Sequence, residues 1–247
     1  MNDFSWIVDW PQYIPELLPG LWIALGLTAV SCALGYVLGF FLALLAEARS
    51  KALRMISLVV VELGRGIPVL VLLFIIYQGL PQLGILLSSI PSAIVAITFS
   101  AAGYSSEMIR AGLNAVPRGQ FEAASSLSMS TRDTYRYIIV PQAARISIPP
   151  LMNLTIIMFQ ITSLTTLIAV PEIMQRANII GSATFEYMSV YTAAAVLYLA
   201  VTLPGAYLSS HLERRVGGTR RRARKAAGAA PAPGSPDGIG QPSPARA

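Results

Sequence analysis

The sequence predicts an all-α integral membrane protein with five spanning helices, and three observations predict it. The 247 residues are 54% hydrophobic and only 12% charged, with a mean hydropathy of +0.60, whereas soluble domains carry about 25% charged residues. Four long stretches, 17–46, 66–106, 146–171 and 187–212, contain no Asp, Glu, Lys or Arg. The basic residues between and after these stretches fall in segments that share one side of a membrane.

A spanning helix needs about 20 apolar residues. The stretch 66–106 is too long for one helix, and Gly79, Pro81, Gly84 and Pro91 interrupt it, so it divides into two helices joined by a hairpin. The expected spans are 21–46, 55–80, 91–110, 146–170 and 188–211. Residues 1–20, with Asp3, Asp9 and Glu16, form an extracytoplasmic segment and lack the basic start of a signal peptide. Residues 21–215 form the transmembrane domain. Residues 216–247, rich in Ala, Pro, Gly and Arg, are too polar and too poor in large apolar side chains to bury a core, and are expected to be a disordered cytoplasmic tail.

Arg49, Lys51 and Arg54 separate the first two spans, and Arg110, Arg118, Arg132, Arg136 and Arg145 separate the third and fourth. Eight of the 18 basic residues (Arg214, Arg215, Arg220, Arg221, Arg222, Arg224, Lys225 and Arg246) follow the fifth. The opposite side has Arg176 and no basic residue before the first span. The positive-inside rule therefore places the N-terminus outside and the C-terminus in the cytoplasm. The net charge of +6 is a topology signal, and no nucleic-acid partner is expected. One cysteine, Cys32, and one histidine, His211, exclude an internal disulfide and a Cys/His zinc site. No phosphate-cradling GxxxxGK[ST] loop is present, so ATP must be handled by another chain.

The segment 111–145 is built unlike a loop. Pro117 and Gly119 signal a turn, after which Phe121, Ala124 and Leu127 recur on one helical face. Ser130 and Asp133 can cap a second short helix, 131–139, that presents Tyr135, Ile138 and Ile139. Such a pair makes either a cytoplasmic docking surface or an interfacial pair lying on lipid.

The string VPRGQFEAASSLSMS at 116–130, followed by YIIVPQA at 137–143, resembles the EAA loop of bacterial ATP-binding cassette (ABC) importer permeases, in particular those of the polar amino-acid uptake family (histidine, glutamine and arginine type). ELGRGIPVLVLLF at 62–74, GYSSEMIRAGL at 103–113, PPLMN at 149–153 and TSL at 162–164 are similar to further segments of that family, in the same order, so the resemblance covers about 20–215. It implies a type I importer-like permease in a bacterial inner membrane. The implied partners are two ABC ATPase subunits that bind ATP and Mg, a second permease chain (identical or related), an extracytoplasmic substrate-binding protein and the bilayer. The residues it assigns to ATPase coupling are Gly119, Glu122, Ala123, Ala124, Ser128 and Pro141. Ser128 departs from the family, which has glycine there, the residue that tolerates positive φ.

Around the second span, Glu62 and Arg65 are three apart and can pair on one helix face. Pro68 removes a helical hydrogen bond beside Gly64 and Gly66, and a broken helix offers free amides and carbonyls to a polar solute. The other reading places both charges at the cytoplasmic interface, snorkelling. In the fourth span Gln160, Thr162, Ser163, Thr165 and Thr166 form a polar band that either glues helices together or meets the solute. The expected substrate pathway is thus Glu62, Arg65, Gly66, Pro68, Gln160, Thr162 and Ser163. Gln160 and Ile161 stand where the family has a charged pair. Gly35 and Gly39 form a GxxxG expected to pack within the subunit. An ABC-coupled sensor and a membrane-embedded enzyme are the competing classes. The second needs convergent catalytic groups, and Glu62, Glu107 and Glu122 are scattered in depth.

The orientation has a direct test. A reporter that fluoresces only in the cytoplasm should glow when fused after Gly217 and stay dark after Gly84; the reverse pattern would overturn the map.

Overall fold

The computed structural model describes residue 7 and residues 9–227, with side chains through Arg214. Helices account for the regular structure, with no strand among the described residues. Helix α1 runs over Trp10–Ala46, 37 residues, or about 56 Å at 1.5 Å per residue. It begins well before the expected position 21, because its prolines are tolerated: one lies at the helix start, and Pro15 and Pro19 follow inside it. Pro11, Pro15 and Pro19 are spaced by four, so each interior proline withholds its bond from the carbonyl of another proline on the same face.

The second expected span is not one helix. Helix α2 (Lys51–Gly66) stops at Ile67, whose φ of −85° and ψ of 124° are extended, the conformation that a following proline imposes. After Pro68 come α3 (Val69–Phe74), a π turn (Ile75–Gly79) and a 3₁₀ turn (Leu80–Leu83), which ends at Gly84 with φ of 80°. The chain bends by 100° between 51–66 and 69–83.

Helix α4 (Ser89–Asn114) is the central strut. Gly35 of α1 meets Ala101, where an added Cβ would lie 2.7 Å from the Ala101 side chain, and Gly39 presses on Ser105. The GxxxG therefore packs within the chain, as expected. On the other side Gly103 abuts α2, where a Cβ would lie 3.0 Å from the Gly64 carbonyl carbon and the Val61 oxygen. Enclosed in this way, α4 buries Ser92, Ser100, Ser105 and Ser106. Small residues are what close helix packing inside a membrane requires.

Helix α5 (Arg118–Ser126) follows a short turn, then α6 (Thr131–Asp133). A π segment (Thr134–Ile139) joins α6 to α7 (Val140–Ile161) and a 3₁₀ segment (Thr162–Ile168) continues it. The helices expected separately at 131–139 and 146–170 are thus one 38-residue rod, Thr131–Ile168. The wide π turn lies where Pro141 would otherwise crowd the carbonyl four residues before it. Helix α8 (Ile173–Thr184) has no counterpart in the sequence reading. Helix α9 (Tyr187–Ala227) extends past the expected tail boundary at 216; the remainder of that tail, 228–247, lies outside the described residues.

Among the described residues three helices are long and apolar enough to cross a membrane, Trp10–Ala46, Thr131–Ile168 and Tyr187–Arg214, and the bent 51–83 pair makes a fourth if it is one span. The chain is therefore an all-helical membrane protein. Tyr13, Leu17, Phe159, Ile173, Val190 and Leu197 form a core that ties α1, α7, α8 and α9 together. A second cluster, Leu113, Val116, Ile139 and Ala143, with Phe121 against it, joins α4 and α7 to α5.

The α2–α4 crossing predicts a mutational effect. Gly103→Leu drives a side chain into the α2 backbone and should lower stability by about 1–3 kcal/mol, read as a lower thermal midpoint of the detergent-solubilised protein. Gly66→Ala, where an added Cβ has nothing within 4 Å, should change it far less.

Candidate coupling surface and translocation pathway

Helix α5 is held down by one face and bare on the other. Ala124 is buried at 1% exposure. Phe121 meets Tyr135 edge to face at 6.0 Å, and Gln142 donates to the Gln120 side chain at 3.1 Å. Gly119, Glu122 and Ala123 are exposed, as are Ser128 and Pro141. The alternation separates the three letters of the EAA triplet: Glu122 and Ala123 face outward, while Ala124 fastens α5 to the chain's own core. Leu127, expected beside Phe121 and Ala124, is instead 75% exposed, because it is the C-cap of α5 and its backbone has left the helical path. The exposed Leu127 and Tyr137 and the Arg136 guanidinium 5.4 Å over the Tyr137 ring add apolar and cationic character to the same loop.

The end of α5 explains the glycine-to-serine departure. Ser128 has φ of 52°, in the left-handed region. The Ser128 N–H donates to Ser125 O at 2.9 Å and the Met129 N–H to Ala124 O at 3.1 Å, the paired bonds of a Schellman cap that usually takes glycine at this position. Serine is thus held in the conformation that glycine would adopt without strain. Ser130 starts the next helix as expected, accepting from the Asp133 N–H at 3.1 Å and donating to its carboxylate at 2.7 Å.

Around the helix break, the expected Glu62–Arg65 pair does not form. Arg65 reaches Glu107 of α4 at 3.4 Å, and Glu107 also takes Arg110 at 2.9 Å. Glu62 is exposed and makes no ion pair among the described residues. Three facts of side-chain direction decide this: α2 presses its Gly64 face on α4, Arg65 follows that face, and Glu62 leads away from it. The Tyr104 hydroxyl donates to Arg65 O at 3.4 Å, satisfying a carbonyl that the break at Pro68 leaves without its helical donor. Val69, beside Pro68, and Ile161, beside Gln160 and Thr162, pack in one cluster with Ile97 and Met158. The break and the polar band therefore converge, although they lie about 90 residues apart.

The polar band is partly consumed by its own backbone. Thr162 is fully buried and donates to Phe159 O at 2.7 Å, and Ser163 donates to Gln160 O at 2.7 Å. Gln160 is exposed and carries the free polar end of the group. Thr166 donates to the Gln175 side chain at 2.6 Å and accepts from Asn178 at 3.2 Å. Thr165 donates to Thr162 O at 2.7 Å within its own segment, so Thr166 is the member of the band that joins it to α8.

Sequence reasoning missed Glu172. It is fully buried, caps α8 by accepting the Met174 and Gln175 N–H groups at 2.9 Å, and accepts from Tyr198 of α9 at 2.9 Å. An added Cβ at Gly20 would lie 2.7 Å from the Glu172 carbonyl carbon, so α1 lies directly against it. The only signal in the sequence is an acid ending a charge-free stretch. No cluster of His, Cys, Asp or Glu suited to a metal occurs among the described residues.

Comparison with known proteins agrees with this architecture. Residues 35–218 match the family described as binding-protein-dependent transport system inner membrane component. The chain is 37% identical over 204 residues to a probable amino-acid ABC transporter permease of Bacillus subtilis, covering 83% of this chain and 90% of that one. It is 33% identical to an arginine transport system permease of the same organism, covering 87% and 97%. Among solved structures, an amino acid ABC transporter crystallised with histidines superposes with a TM-score of 0.79 at 34% identity, covering 85% of this chain and 98% of that one. A methionine ABC transporter in an inward-facing form shares the fold at 21% identity, with a TM-score of 0.67 and coverages of 81% and 95%.

The serine cap gives a stability prediction. Because a non-glycine residue in the left-handed region costs about 1–2 kcal/mol, Ser128→Gly should stabilise the protein by about 1 kcal/mol. A raised thermal midpoint would show it; a lowered one would mean that the serine hydroxyl has a role of its own.

Proposed function

Because the chain belongs to the family of inner-membrane components of binding-protein-dependent transport systems, we propose that it is the permease subunit of an ABC importer moving an amino acid with an uncharged side chain into a bacterial cytoplasm. It is a transport subunit and not an enzyme; ATP and Mg belong to a partner. In this reading five helices span the membrane with the N-terminus outside: α1, the bent 51–83 pair, α4, the 131–168 rod and α9. The complex contains two ATPase subunits, a second permease chain, identical or related, and an extracytoplasmic binding protein.

The observation that carries the coupling assignment is the two-faced α5. Phe121 and Ala124 fix it to α4 and α7, while Glu122 and Ala123 stay uncovered. A load applied to that bare face passes directly into two spanning helices. Gly119, Ser128 and Pro141 shape the entry, the cap and the junction with α7. Closure of the ATPase subunits on ATP then shifts the bundle between two packings, outward-open and inward-open.

The substrate pathway follows the convergence of the α2–α3 break with the polar band. Gly66 and Pro68 leave backbone groups unclaimed by a helix. Arg65 offers a cation to the α-carboxylate, and Gln160, with the outer lone pairs of Ser163, meets the amino end, while the buried Thr162 supports the band from behind. Glu62, on the exposed side of α2, lies at the edge of this route. Relatives are named for arginine, glutamine and cystine transport. Gln160 and Ile161 supply no charge to pair with a cationic side chain, and an unpaired desolvated charge costs several kcal/mol, order of magnitude.

Uptake by the reconstituted complex tests both parts. Glutamine or a neutral sulfur amino acid should be preferred to arginine; arginine as the best substrate would refute the uncharged class. Glu122→Lys should abolish substrate-stimulated ATP hydrolysis while the protein still inserts, because a reversed charge meets like or unpaired groups across the interface. Normal transport by that variant would show that α5 is not the docking helix.

A further inference from the structure

Glu107 and Arg110 have no place in the coupling surface or in the solute route, yet Glu107 holds Arg65, which lies on that route. Glu107 is on α4, two turns from the Asn114 end, and takes two guanidiniums at once: Arg110 on its own helix, through both oxygens at 2.9 and 3.1 Å, and Arg65 on α2 at 3.4 Å. Arg65 immediately precedes Gly66 and the extended Ile67 at which the helix breaks and the chain turns by 100°. The Tyr104 hydroxyl, also on α4, takes the Arg65 carbonyl at 3.4 Å. Below these two contacts Gly103 sits on Gly64 and Val61. Three kinds of contact, ionic, hydrogen-bonded and steric, thus bind the last turn of α2 to one segment of α4, 103–107.

The same α4 runs without a break from Glu107 to Asn114 and enters α5 through Ala115, Val116 and Pro117. Val116 and Leu113 are buried against Ile139 and Ala143, with Phe121 of α5 packed on them. A displacement of α5 therefore reaches Glu107 through a helix end that is buried and well packed. Beyond the Ile67–Pro68 break, α3 is packed on a different stretch of α4: Leu72 and Leu73 lie in a cluster with Ala93 and Ala96 of α4, Leu27, Ile168 and Val170. The fixed points on the two sides of the break are therefore different. The α2 side is tied to 103–107 of α4, towards the end that leads into α5, and the α3 side to 93–96 of α4, to α1 and to the end of the 131–168 rod.

We propose that the Glu107–Arg65 bridge is the link that carries motion of the coupling helix to the hinge at Ile67–Pro68, with Glu107 acting as a positioning residue for transport. The argument rests on the permease reading above, since it requires α5 to be the docked helix. When α4 shifts, the bridge drags the end of α2 with it, and the hinge changes the angle between α2 and α3 at the convergence with the polar band. Without the bridge, only the Gly103–Gly64 packing and the Tyr104 hydrogen bond hold the end of α2 to α4, and α2 follows less closely. Arg110 does not link two elements, because it pairs with Glu107 along one helix; it limits the directions in which the carboxylate points.

The test is the amount of substrate moved per ATP hydrolysed by the full complex in vesicles, at saturating substrate. Glu107→Gln should leave the complex assembled and its ATP hydrolysis still stimulated by substrate, while transport per ATP falls at least tenfold. Arg110→Gln, which spares the cross-helix bridge, should keep that ratio within twofold of the parent. Should the glutamine variant fail to assemble, Glu107→Asp, which shortens the arm that reaches Arg65, should lower the same ratio at saturation. An unchanged ratio in the variant that breaks the bridge would overturn the inference, as would an equal loss in Arg110→Gln or a defect confined to KM. If the parent complex itself shows no substrate-dependent ATP hydrolysis, the permease reading has failed, and that result is separate from any behaviour of Glu107.

Discussion

Close contact between helix backbones at α4 is the constraint on which the other features depend. In a bilayer the tails are as apolar as leucine, so burying apolar side chains gives helices little reason to associate, and short-range packing decides. Gly35, Gly39, Gly64 and Gly103 remove the side chains that would hold α1 and α2 away from α4. The consequence is a strut of low hydropathy at the centre, whose serines are covered by protein.

The tight crossing also makes room for a break. An interrupted helix leaves backbone groups that protein or water must meet. Here Ile67 N–H still reaches Leu63 O at 3.2 Å, and Tyr104 takes the Arg65 carbonyl at 3.4 Å. The charged side chain at the break is met as well, by Glu107. Without α4 alongside, the Arg65 carbonyl and guanidinium would lose these partners. The break and the strut are therefore one arrangement.

Elsewhere the helices are continuous where a loop would serve. The rod 131–168 passes from the loop after α5 to the far end of α7 without interruption, absorbing Pro141 in a π turn. Helix α8 is clamped by Glu172, Tyr198 and the flat face of α1 at Gly20. Parts far apart in sequence are thus joined by stiff segments.

Membrane class, the apolar segments and the loop with its Glu122–Ala123–Ala124 triplet were legible in the sequence because each is a local property. Charge-free length and composition need no knowledge of neighbours, and a helix period shows in a dozen residues. Ser128 was legible as an anomaly, since the position calls for glycine, but only the cap geometry showed that serine takes the left-handed conformation there. The start of α1 was hidden because Pro11, Pro15 and Pro19 read as breakers one at a time, while their spacing of four puts the losses on one face. Leu127 was misplaced because periodicity does not say where a helix stops. Arg65 was assigned to Glu62, three residues away, and its partner proved to be Glu107 on another helix; Glu172 carried almost no signal. Those pairings were decided by the tertiary structure alone, because which charges meet depends on how helix faces are turned and crossed, and the side chains that set the crossing are glycines, whose contribution is the absence of an atom.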